Sequence, residues 1–255
     1  MIRLIKAEAK KIFYYKSFMA CAILYFIFMP LMFVGLGNSS IGKGKFSFKI
    51  IFDYPDFWHN ITYLASWFNV LLCIMFILLV SNEFSYKTFR QNIIDGVSRF
   101  EVVLAKLSIS VLLSIISTLY VLISGYIIGE IYAEPHAFKD VTEQIYFLGN
   151  YFIQSVSYMS LALLFALIFR RQGTSLIFFL IYVFVIGPLT SFKIPEPYGD
   201  YTPTSILSNL INNPLPAMFG TTLPHLDLTS TMVMTAIYTT IFLACSLLIV
   251  KKSDL

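Results

Sequence analysis

Six uncharged stretches, each long enough to carry a helix across a bilayer, constrain this chain more than any other feature of its sequence. A spanning helix needs about 20 predominantly apolar residues. Ser17–Gly42, Asn60–Asn82, Leu107–Gly129, Gln144–Phe169, Gln172–Phe192 and Leu228–Val250 contain no Asp, Glu, Lys or Arg. Composition excludes a soluble reading of the same runs. Hydrophobic residues make up 58% and charged ones 13% of the 255 residues, whereas soluble domains carry about a quarter charged residues. The expected fold is all-α and polytopic, with spans near 17–37, 60–82, 105–129, 146–169, 173–192 and 229–250 forming one membrane domain.

A seventh uncharged run, Tyr201–Leu226, carries Pro203, Pro214, Pro216 and Pro224. Proline removes a backbone donor and clashes with the preceding turn, so no helix passes through this run. Backbone inside a membrane must still satisfy its hydrogen bonds within the protein. Residues 193–227 are therefore expected to form short interfacial or re-entrant pieces. Leu215, Met218 and Phe219 are their candidate outer-gate residues, with a loop lying flat on the outer leaflet as the alternative.

The distribution of Lys and Arg sets orientation, because basic residues collect on the cytoplasmic side. Residues 1–16, Lys87, Arg90, Arg99, Lys106, Arg170, Arg171, Lys251 and Lys252 hold 13 of the 18 basic residues on one side. The opposite side holds five lysines and nine acids, among them Asp53, Glu130, Asp200 and Asp227. Both termini are thus expected in the cytoplasm, at the plasma membrane of a prokaryote. Residues 1–16 place Ile2, Ile5, Ala9, Ile12 and Phe13 at helical spacing, with Arg3, Lys6 and Lys10 on another side. That pattern suits an interfacial helix on anionic lipid, or a plain topology-fixing flank. The apolar run behind it is long enough to span, so cleavage as a signal peptide is not expected.

The loop between spans two and three carries more structure than a connector needs. Tyr86, Phe89, Ile93 and Val97 recur at 3-4-4 spacing, which gives a short helix one apolar face. Glu83 stands four residues before Lys87, the favourable order for a helical ion pair. Asp95-Gly96 supplies a turn, and Ser98 with Glu101 forms a capping box flanked by Val97 and Val102. Span three is expected to start in the cytoplasm around Arg99 and to enter lipid near Leu107.

An acidic end to span two, a short amphipathic helix, Gly96-x-Ser98-Arg99, then Lys106 at the head of span three resembles the permease subunits of type-2 ABC exporters. The six-span layout, the basic N-terminal segment and the broken segment before the last span are similar too. Within that family the chain looks closest to the bacitracin and lantibiotic-immunity permeases. The resemblance implies that Glu83–Ile94 docks into a cleft of a separate ATPase. Tyr86 and Phe89 would be anchors and Lys87 and Arg90 their polar surround, with Glu83, Phe84, Ile93, Gly96 and Arg99 completing the contact. It further implies two ATPase copies holding ATP and magnesium, a second permease chain, and no cofactor on this one.

Other motifs lead nowhere. Gly37-x-x-x-x-Gly42-Lys43 has Gly44 where a phosphate-binding loop needs Ser or Thr. Asp95-Gly96-Val97-Ser98-Arg99 faintly resembles the start of a phosphatidyltransferase motif, but no aspartate follows before Asp140 to hold metal. His59, His136 and His225 sit in separate outer loops, read as interfacial residues, and no metal is assigned to them. Cys21, Cys73 and Cys245 all fall within apolar runs and are read as packing residues. No span has an ionisable residue near its middle, so an ion-coupled pathway is not expected. Ser110, Ser114 and Thr118, with Gly125-x-x-x-Gly129, mark span three as a helix-contact surface. The expected function is ATP-driven export of a hydrophobic or amphipathic substrate by a non-enzymatic permease subunit, with lipid and protein partners and no nucleic acid. The alternative is a six-span scaffold or assembly factor.

Overall fold

The computed structural model describes residues 15–41, 46–94, 96–133, 142–195, 198–218 and 226–252. The interfacial helix expected at 1–16 lies almost wholly outside them. Six helices are long and apolar enough to cross a membrane: Lys16–Gly37, Phe57–Ser85, Arg99–Tyr132, Tyr146–Phe169, Gln172–Lys193 and Leu228–Lys252. The chain is an all-α, multi-pass membrane protein. We number these spans one to six. The end of the bundle carrying Lys106, Arg170 and Lys252 is called the basic end.

Span four is the centre, packed against spans two, three, five and six. Spans one, five and six bury only a minor share of their residues, as helices at the lipid boundary of a bundle must. Span three has 34 residues, about 50 Å of helix, against a hydrocarbon core of about 30 Å. It therefore stands out of the membrane and carries Arg99–Glu101 beyond the basic end of its neighbours.

Small residues let span three close on span two. A side chain at Gly125 would meet Trp58 at 3.1 Å, and one at Gly129 would meet Phe57 at the same distance. With no hydrophobic force between helices in lipid, such close approach is what holds them together. Ser110 and Ser114 are buried on the same helix, but Thr118 is not. Ser117, one turn on, hydrogen-bonds Tyr25 at 2.6 Å and Tyr151 at 2.7 Å, joining spans one, three and four.

Span two is longer and less regular than its sequence suggests. It starts at Phe57 and breaks at Trp67–Phe68, before Asn69 resumes the helix. The break is legible only through its partners. Asn69 donates to Gln154 at 3.1 Å and accepts from Ser155 at 2.8 Å, both on span four.

The proline-rich segment is re-entrant. After a 3-10 turn at Tyr198–Tyr201, helix Pro203–Asn209 packs against spans four, five and six, and a last turn forms at Leu215–Met218. Ile206, Leu207, Leu210 and Ile211 are buried. A helix ending inside a membrane protein leaves its last carbonyls without partners. Here Gln154 donates to the Leu207 carbonyl at 2.8 Å and Asn150 to that of Leu210 at 3.3 Å. His59 binds the Asn212 carbonyl at 2.7 Å and stacks on Phe147. Span five accommodates the insertion with a π-helical stretch at Tyr182–Ile186. Gly187 follows, where a side chain would collide with Thr204 at 2.5 Å. Gln154→Leu should cost about 1–3 kcal/mol by orphaning the Leu207 carbonyl. Thermal unfolding of the solubilised chain, together with faster protease cleavage within 203–218, checks this.

Candidate functional site at the basic end

Where spans two and three meet at the basic end, Lys106 Nζ lies 2.5 Å from Glu83 Oε1, and both side chains are buried. Glu83 is two residues from the end of span two, and Lys106 is two turns into span three. Neither position can reach bulk water, so each charge is held by the other. Lys87, the expected partner of Glu83, is excluded by its backbone. Its φ of 57° is left-handed and ends the helix of span two. The continuous helix expected over Glu83–Ile94 is accordingly two pieces, span two to Ser85 and a junction helix Thr88–Ile94.

The junction helix turns its apolar side onto its own chain. Phe89 is 1% exposed and stacks on Phe84 with ring centroids 4.6 Å apart. Ile93 and Val97 are half-buried against the same core. The 3-4-4 pattern is thus an internal packing face, and Phe89 is not the outward anchor that the resemblance implied. Glu83, buried in its ion pair, is likewise no contact for a partner in this conformation.

Arg99 also has an internal task. Its Nη1 donates to the Val250 carbonyl at 2.9 Å and to that of Lys251, satisfying the open end of span six as basic groups do at helix C-termini. Ser98 and Glu101 form the capping box expected of them, with Ser98 Oγ accepting from the Glu101 N–H at 3.2 Å and Glu101 Oε2 accepting from the Ser98 N–H at 2.9 Å. Gln172, at the head of span five, donates to Asn82. Tyr15, before span one, stacks on Tyr86 at 6.3 Å. All of these contacts run through the span two to span three junction, which ties the basic ends of spans one, two, three, five and six together.

No protein-family model matches the chain, and a search among curated proteins finds no match. The site is therefore read from its own geometry. What the junction presents outward is Tyr86, 67% exposed, Ile94, 68% exposed, and Phe100, 56% exposed, with Lys87, Gln91 and Gly96 exposed between them. The side chain of Arg90 and the whole of Asp95 lie outside the described residues. Gly96 takes a φ of 89°, which lets the chain turn from the junction helix into span three. Ile94, Gln91 and Phe100 escaped the sequence reading. Their signal was available: once Phe89 faces inward, Ile94 must face outward on a seven-residue helix.

At the opposite end, two cavities of 630 and 480 Å³ meet at Tyr158, Val183 and Ser208. The first is walled by Ser191, Asp200 and Ser205, and the second reaches Asn69, Cys73 and Gln154 between spans two, four and five. Of the expected gate residues, Leu215 is half-buried in this region. The side chain of Met218 and all of Phe219 lie outside the described residues, as do His136 and His225. Among the described residues no cluster of His, Cys, Asp or Glu could hold a metal.

Proposed function

We propose that this membrane protein is the permease subunit of an ATP-driven ABC exporter, moving a hydrophobic or amphipathic substrate out of the cytoplasm or inner leaflet. The observation that carries the reading is a short helix fixed to spans two and three by a buried ion pair, yet bearing exposed Tyr86 and Ile94. Two large apolar side chains held in water on a rigid mount fit a protein partner, because aromatic and aliphatic anchors dominate binding energy at interfaces. A partner that pushed on this helix would act directly on the span two and span three ends. The basic end is then cytoplasmic, where an ATPase has ATP. The joined cavities beside spans two, four and five would be this chain's share of the route, with a second permease chain closing it.

The test is a detergent pull-down of the tagged chain from its native membrane, read by mass spectrometry. The expected result is a stoichiometric ATPase subunit, with recovery falling roughly 30-fold in Tyr86→Ala/Ile94→Ala, the size of a lost interface hot spot. Recovery of the chain alone, or with a partner lacking ATPase motifs, would favour the six-span scaffold.

A further inference from the structure

A groove of 580 Å³ opens sideways between spans four and six at the basic end. Its walls are apolar, from Leu164, Ile168, Cys245 and Leu248, and its rim carries Arg170 and Lys252. The volume falls within the roughly 300–1,000 Å³ of ligand sites. Both cations sit where a span ends, so the rim lies at headgroup level while the walls run into the hydrocarbon.

The two cations are not engaged elsewhere. Among the described residues neither has an acidic partner or a side-chain hydrogen bond. Arg170 ends span four in a left-handed conformation, φ 56°, and its backbone N–H is bound to the Ala166 carbonyl. Span six needs no help from Lys252, because Arg99 already occupies the Val250 and Lys251 carbonyls. Two uncompensated charges at the mouth of a dry groove match an amphiphile with an anionic head and an apolar tail. Basic pockets between membrane helices select such lipids for this reason.

We propose that this groove is a binding site for one anionic phospholipid of the leaflet at the basic end. One acyl chain lies along Leu164, Ile168, Cys245 and Leu248, and the phosphate sits between Arg170 and Lys252. Bound there, the lipid bridges spans four and six beside the Arg99 contact. The site stands independently of any transport role.

Native mass spectrometry of the full chain with phosphatidylglycerol or phosphatidylcholine, titrated separately, tests it. Phosphatidylglycerol should bind more tightly, by roughly 5-fold per cation and about 30-fold in all. Arg170→Gln/Lys252→Gln should erase that preference while leaving phosphatidylcholine binding unchanged. Cys245→Phe, which fills the groove without altering charge, should reduce binding of both lipids, and it decides the matter if the double variant fails to fold. Alkylation of Cys245 should also slow as phosphatidylglycerol is added. Equal affinity for the two lipids, or a preference that survives loss of both cations, would overturn the site.

Discussion

Lys106→Met is expected to lower the melting temperature of the detergent-solubilised chain by roughly 6–20 °C. The variant removes the cation 2.5 Å from the Glu83 carboxylate and leaves that carboxylate buried. Breaking one partner out of a buried ion pair costs about 3–5 kcal/mol, because the survivor's charge has lost both water and counter-ion. A chain of this length shifts by about 2–4 °C for each kcal/mol. Removing both charges is a different experiment. Buried pairs are often replaced by apolar residues at little cost, so Glu83→Leu/Lys106→Met should melt close to the original protein. That double variant also separates structure from work. If it folds but no longer couples a partner's ATP hydrolysis to transport, the pair transmits force between spans two and three. If Lys106→Met alone melts with the unchanged chain, the ion pair does not hold the junction.

Much of this architecture is readable in the sequence because membranes impose blunt rules. Uncharged runs gave the six spans, prolines gave the broken segment, and Ser98 with Glu101 gave the true start of span three. What was illegible depended on contacts between distant residues. Glu83 and Lys106 are 23 positions apart, and no periodicity links a carboxylate on one span to an ammonium on the next. Lys87 offered a nearer and more ordinary partner, and only its left-handed backbone excludes it. The interruption of span two has no proline or glycine to announce it; Asn69, Gln154 and Ser155 become a signal only once they are adjacent. The face of the junction helix was misassigned for a related reason. An amphipathic pattern says that one side is apolar, not whether its own chain or another covers it. Arg99 shows the same limit, since a basic residue beside a helix start gives no hint that it closes a helix end 151 residues later.

Phe89 and the Tyr86–Ile94 pair should therefore respond to mutation in opposite ways. Phe89→Ala is expected to cost about 3–5 kcal/mol, the range for deleting a buried aromatic ring and leaving its cavity. Its ring is almost fully enclosed and stacked on Phe84, so the junction helix loses its attachment to span two. Protease cleavage within 86–98 should then accelerate along with the fall in melting temperature. Tyr86→Ala/Ile94→Ala removes side chains that are two-thirds exposed, and surface changes of that kind usually stay within about 0.5 kcal/mol. The pair variant should keep its melting temperature and its monodispersity while losing the partner. Phe89→Ala should lose the partner only in proportion to the chain that has unfolded, and Phe89→Leu, which refills most of the space, should recover both. The reverse pattern, a stable Phe89→Ala that binds nothing beside a Tyr86→Ala/Ile94→Ala that binds normally, would mean that the junction helix turns over to expose Phe89 when its partner arrives.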